Sequence, residues 1–204
     1  MTRPNDILAF WFQNIDDQTT IPKKNPPASR WFAKDKQFDD EIRNKFSADL
    51  ERAGEGEYRD WEGFARGRLA LVLLFDQFSR NIYRDTPTMF AHDALALDLT
   101  MRSIHEKKDR ELPLIYRIFF YMPLMHAEDG SMQELSVQCF LSVVEESKTI
   151  CPYNTSYFEY NWSYAKQHRD IIARFGRFPH RNKILARPST DEEKIFLLGS
   201  KGSF

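Results

Sequence analysis

Apolar residues recur at helical spacing along almost the whole chain, and no segment alternates in the period of two that a half-buried strand requires. Phe38, Ile42, Phe46, Leu50 and Ala53 step by four and three, with charged residues between them, as one stripe of an amphipathic helix that Gly54 and Gly56 end. The denser run from Arg68 to Phe78 predicts a central helix, because Leu and Ala outnumber β-branched residues there. Thr86-Pro87 reads as a helix start, with Phe90, Ala94, Leu97, Met101 and Ile104 as its buried stripe. Leu112-Pro113 opens the next helix, which Pro123 should break or kink.

Further on, Ser131 with Glu134 reads as a capping box, followed by a buried face of Leu135, Cys139, Leu141 and Val144. The aromatic run from Tyr153 to Tyr164 reads as core packing, and Gly176 as a left-handed stop. Thr190 to Glu193 is a second capping box, before a helix that Gly199 closes. The reading is an all-α fold, one domain over residues 1–204, built as an array of helix hairpins. A Pro-containing loop or strap is expected at 14–29 (Pro22, Pro26, Pro27) and a basic turn region at 176–190. A 34-residue repeat is not evident.

At 204 residues the chain can bury a core without a covalent staple, and 14% aromatic residues supply one. Cys139 and Cys151 match no metal or redox spacing and read as buried or half-buried thiols, which suits a reducing cytosol. The start of the chain does not read as a secretory signal, and no apolar run is long enough to span a membrane. A net charge of −1 gives no global attraction to nucleic acid or anionic lipid.

Three polar clusters interrupt this apolar pattern. The first runs from Phe75 to Asp85, where Asp76 and Arg80 lie four apart on one helix face beside Asn81. Asp76 follows the most apolar stretch of the chain, so a charge there needs a partner. The second, Pro123 to Asp129, holds His126, Glu128 and Asp129. A zinc-deaminase reading fails, because Cys151-Pro152 does not supply the Pro-Cys-x-x-Cys partner. The third runs from His168 to Asn182. Seven Lys or Arg stand against one acid from Lys166 to Arg187, a local net charge of +6, with His168 and His180 in addition. Phosphate-binding Gly-rich loops, nucleophile elbows and His-Glu-x-x-His are absent.

The stretches LALVLLFDQFSRNIYRDTPTMFAHD (69–93), FYMPLMHAED (120–129), HRDIIARFGRFPHRN (168–182) and RPSTDEE (187–193) resemble a bacterial domain-of-unknown-function family, number 924. The likeness extends from FWF near the start to FLLG near the end. It implies a tetratricopeptide-like array of antiparallel helix hairpins, and no established activity, substrate or cofactor. Ala127 stands where the family usually has Ser, and Ala186 where it usually has Gly. The second departure implies a turn that does not require positive φ.

Three functional readings follow. In the first, a helical binding module holds an anionic group, an acidic peptide or a phosphorylated small molecule, with Arg80, Asn81, Arg177, His180, Arg181 and Asn182. In the second, an enzyme uses Asp76, His126, Glu128 and His180 as acid–base groups. No cofactor or metal is expected, a divalent ion on His126, Glu128 and Asp129 being a sub-case of the enzyme reading. In the third, the clusters form a purely structural ion-pair network. Nucleic acid and membrane are not expected partners.

Overall fold

The computed structural model describes residues 3–13, 15–21 and 29–199, and among these it contains helices and turns but no strand. Helix α1 (Arg3–Phe12) precedes the short α2 (Ser29–Phe32) and the long α3 (Lys36–Gly54). A rod follows: α4 (Ala65–Val72), a π-helical segment (Leu73–Phe78) and α5 (Ser79–Ile82). Then come α6 (Asp93–His105), α7 (Leu114–His126), α8 (Gly130–Ile150), α9 (Thr155–Phe175) and α10 (Asp191–Gly199), with short 3₁₀ turns between them.

Paired contacts show the chain direction reversing at each step from α3 to α9. Asp39 meets Asn81 and Phe46 meets Phe78. Arg68 meets Ser103 and Arg80 meets Asp93. Thr100 meets Phe120, Tyr121 meets Phe140 and Ser147 meets Thr155. Connections of three or four residues between α7, α8 and α9 force this arrangement. α1 packs across α4 and carries Trp11 and Phe12 into the centre, where they meet Trp31, Phe38, Phe78 and Phe119. One core runs from α1 to α9, and a smaller cluster of Ile171, Ile172 and Phe178 lies beneath Phe196 of α10.

Residues 15–21 form a strap. Ile15 and Ile21 are buried, and Asp17 accepts from the Leu114 and Ile115 amides at the start of α7. Asn154 holds the strap's other end, accepting from the Ile21 amide and donating to the Thr19 carbonyl. Pro22, Pro26 and Pro27 lie outside the described residues.

Several local expectations change. Pro87 opens a 3₁₀ turn (Pro87–Phe90), and α6 begins at Asp93 with Ala96, Leu99, Thr100 and Ser103 as its buried face. Small polar residues face inward there because their hydroxyls donate to carbonyls, Thr100 to Phe120 and Ser103 to Leu99. α8 is capped by Asp129, which accepts from the Met132 amide, while Ser131 donates to Asp129 rather than capping. Its buried face is Gln133, Ser136, Phe140, Val143, Val144 and Ser147, rotated from the expected Leu135, Cys139 and Leu141. α7 runs through Pro123 to His126, enclosed by α6, α8 and α9. Tyr153 and Tyr160 are exposed rather than core. Ala186 has φ +52, so its turn takes the left-handed conformation although a Cβ is present. Gly176, at φ +67, ends α9 as expected, and Thr190 and Glu193 form a reciprocal capping box. Cys139 and Cys151 are both free. No described helix is long and apolar enough to cross a membrane.

Gly67 is the tightest point of the rod. A Cβ there would lie 2.2 Å from the Trp61 carbonyl oxygen and 2.8 Å from the Phe64 ring, whereas one at Gly63 meets nothing within 4 Å. Gly67→Ala should therefore cost about 2 kcal/mol or more in chemical denaturation, a typical overpacking loss. Gly63→Ala should stay within about 0.5 kcal/mol of wild type. Equal midpoints for the two variants would contradict this packing.

Candidate ligand-binding site

Asp76 sits in the π-helical segment, where its side chain is 1% exposed. Such wide turns interrupt helices at functional sites more often than elsewhere. Both carboxylate oxygens are satisfied. Oδ1 lies 2.7 Å from His126 Nδ1 and accepts from Arg80 Nη2 at 3.1 Å, and Oδ2 accepts from Gln77 Nε2 at 2.6 Å. Burial pushes the Asp76 carboxyl up, but His126 and Arg80 more than offset this and hold it well below the usual carboxylate range. An ionised carboxylate only accepts, so His126 Nδ1 is the donor, and Nε2 is the ring nitrogen that no described residue bonds.

The network continues outward. Arg80 Nη2 also donates to Asp93 at 2.9 Å, and Arg181 lies 3.8 Å from the same carboxylate. Burial raises the Asp93 carboxyl despite the opposing pull of Arg80. Arg181 donates to the His126 carbonyl at 2.9 Å and lies over the Phe90 and Phe178 rings. Burial, reinforced by Arg80, brings Arg181 down to about 10, which leaves it charged at neutral pH. Glu128 receives Arg187 through both oxygens, at 2.6 and 2.9 Å, and the Phe178 amide at 2.8 Å. The three sequence clusters therefore meet: Asp76 of the first holds His126 of the second, Arg181 of the third bonds the His126 carbonyl, and Glu128 pairs with Arg187 of the basic segment. The acids of the first cluster pair with Arg80, His126 and Lys34 rather than with arginines of the third.

That meeting neutralises most of the +6 segment. Arg174 pairs with Glu192, Arg177 with Glu193, Arg187 with Glu128, and Arg169 with Glu134 and Asp170. Asn182 is buried between Glu193, Ser189 and Arg187. Arg177, Arg181 and Asn182, expected to bind a ligand, instead fasten the turn after α9 to α6, α7 and α10. Burial pushes His180 down to about 4, so it is neutral near pH 7. The metal sub-case also fails: Glu128 holds Arg187, Asp129 caps α8 and His126 holds Asp76, so these donors serve three separate partners. No group of three metal-ligating side chains occurs among the described residues.

A cavity of about 590 Å³ opens on the other side of His126. Gln77, Arg80, Asn81 and Arg84 line one wall, Met122, Met125 and His126 of α7 the floor, and Tyr160, Asn161, Tyr164 and His168 of α9 the opposite wall. Trp31, Phe32, Ala33 and Lys34 close one end. Trp31 is fixed there because its indole N–H donates to the Trp11 carbonyl at 2.8 Å. His168 Nδ1 donates to the Tyr164 carbonyl at 2.9 Å, and burial lowers its pKa to about 3, so a neutral ring faces the cavity. Of the residues singled out from sequence, Arg80, Asn81, His126 and His168 reach this cavity, with Asp76 directly behind. Arg177, His180, Arg181, Asn182 and Glu128 do not line it. Sequence reasoning missed Gln77, Arg84, Met122, Met125 and the α9 wall, although Met and Tyr on helices flanking a buried Asp were a usable signal.

The molecule is thus an all-helical protein with an Asp–His pair at the base of a mixed aromatic and cationic cavity. The chain belongs to the family described as Bacterial protein of unknown function (DUF924), whose profile matches residues 7–201. Among solved structures it is similar to the protein of unknown function ATU0120 from Agrobacterium tumefaciens. The two are 35% identical over 97% of each chain, with a TM-score of 0.77. No curated protein matches the chain.

The network dictates an acid response. Burial opposes ionisation of Asp39, Asp76 and Glu128, but Arg84, His126 and Arg187 with their neighbours hold all three low, and Arg177 draws Glu193 to about 2. A carboxyl whose pKa is depressed by folding adds stability above its unfolded value, about 4, and loses it as pH falls toward the folded value. Asp93, which is raised, acts in the opposite sense. With four carboxyls against one, the melting temperature should fall steeply below about pH 4. Asp76→Asn should cost about 3 kcal/mol at pH 7, the low end for breaking a buried pair because Arg80 retains Asp93, and should flatten the acid slope. Thermal melts from pH 7 to pH 3 read both effects, and parallel curves for the two proteins would refute the assignment.

Proposed function

We propose that the cavity binds a small amphipathic anion, a molecule with a carboxylate or phosphate head and an apolar body. The observation that carries this reading is the polarity of the wall: Lys34, Arg80 and Arg84 line it, and no carboxylate does among the described residues. Their acidic partners lie behind or beside them. Asp39 holds Arg84 at 2.5 and 2.7 Å, Asp76 and Asp93 hold Arg80, and Asp85 holds Lys34 on the exposed surface. Arg84 spends Nε and Nη2 on Asp39, and Arg80 spends Nη2 on Asp76 and Asp93. In each, Nη1 has no protein partner among the described residues. Positive ends of oriented ion pairs therefore point at the space a ligand would fill. Trp31, Phe32, Met122, Met125 and Tyr164 supply the apolar contact. The volume lies within the range of about 300–1,000 Å³ usual for small-molecule sites, which favours a small molecule over an acidic peptide.

Calorimetric titration with 3-phenylpropionate and its neutral amide tests this reading. The carboxylate should bind about 10-fold more tightly, the worth of one charge-assisted hydrogen bond. Lys34→Ala and Arg84→Gln should each narrow that gap. Equal affinity for acid and amide, or no heat from either, would overturn the proposal.

A further inference from the structure

We propose that the same cavity is a reaction site, in which His126 Nε2 serves as general base for the attack of water on an ester of the bound anion. The proposal rests on the anion-binding reading above. Its structural basis is how firmly His126 is oriented. Asp76 takes Nδ1 at 2.7 Å, and Arg181 takes the His126 carbonyl at 2.9 Å. Asp76 is itself fixed by Gln77 and Arg80. Ring and backbone are both pinned, and Nε2, bonded by no described residue, is the ring atom left for chemistry. A buried carboxylate behind an imidazole selects the tautomer and stabilises the imidazolium that forms when the ring takes a proton.

The wall around Nε2 narrows the reaction. Among its described residues the wall has no Ser, Thr or Cys, and its hydroxyls are those of Tyr160 and Tyr164, which bond each other at 3.0 Å, so water is the nucleophile of the proposed reaction. General-base attack places new negative charge on the substrate, and the wall presents Arg80 and Arg84 with no acid among its described residues. The step balances. Nε2 takes one proton as the water oxygen bonds to the acyl carbon, and the carbonyl π pair moves onto its oxygen. Collapse of that oxyanion breaks the bond to the leaving alkoxide, which takes the proton back from Nε2. The products are a carboxylic acid and an alcohol, with no net change in His126.

The probe is the 4-nitrophenyl monoester of glutaric acid, with release of 4-nitrophenolate as the readout and 4-nitrophenyl butyrate as the uncharged comparison. Wild type should hydrolyse the anionic ester with saturation and prefer it over the neutral one. His126→Ala should lower kcat about 100-fold, the smaller end of general-base contributions, with the reaction still saturable in the ester. Added imidazole should restore part of the rate in His126→Ala and none in wild type, a rescue that a merely structural histidine would not show. His126→Gln carries the same measurements if the alanine variant does not fold. Binding of 3-phenylpropionate without ester turnover, or turnover equal in wild type and variant, overturns the catalytic proposal and leaves the binding reading standing. Absence of 3-phenylpropionate binding in wild type removes both.

Discussion

A carboxylate set directly after the apolar run 69–75 is the constraint around which the rest is arranged. Desolvating Asp76 would be prohibitive without compensation, and the compensation comes from three other places in the fold. Arg80 is a turn further along the same rod, Gln77 is its neighbour, and His126 closes α7. Each partner imposes a demand of its own. Arg80 is itself buried and needs a second acid, which Asp93 provides from the first turn of α6. Asp93 in turn lies near Arg181, and Arg181 ties the turn after α9 to the last carbonyl of α7. One buried charge thus fixes the mutual placement of the rod, α6, α7 and the turn beyond α9.

The helical architecture was legible because it follows from periodicity, which is local. The stripe of α3, the Gly176 stop and the box formed by Thr190 and Glu193 depend only on neighbours within a few residues. The faces of α6 and α8 were misjudged because apolarity alone was used to choose them. In both helices the innermost positions include Thr100, Ser103, Ser136 and Ser147, and three of these hydroxyls return hydrogen bonds to carbonyls. Pro123 failed to end α7 for a related reason: packing on three sides outweighs the loss of one backbone bond. At Ala186 the local rule failed again, since tertiary contacts hold an L-residue at positive φ where propensity alone would choose glycine.

The site was half legible. That the acidic clusters and the basic segment would meet could be inferred from charge, because unpaired buried ions are rare and each group had only the others to turn to. Which of them would be consumed by the meeting could not be inferred, since pairing depends on the angles at which helices cross. The +6 segment looked like an anion site and proved to be a fastening, with Glu128, Glu192 and Glu193 arriving from elsewhere to neutralise it. The cavity walls stayed hidden for the opposite reason. Met122, Met125, Tyr164 and Trp31 read as ordinary core residues, and nothing in their spacing shows that α7 and α9 stand apart on one side.

The same network that stabilises the fold also creates the polarity of the cavity. An ion pair buried at random has no preferred direction, but here the carboxylates of Asp39 and Asp76 are more deeply buried than the arginines they hold, and those arginines line the cavity. Turning the pairs around would satisfy the same charges and give a wall hostile to anions. The imidazole of His126 sits where this orientation matters most, with a fixed negative charge at Nδ1 and cations across the space beyond Nε2. In the proposed reaction the ring would take a proton from water, with the imidazolium stabilised by Asp76 from behind. The burial of Asp76 thus organises this part of the fold, and the direction its partners take is what the proposed anion-binding and general-base roles rest on.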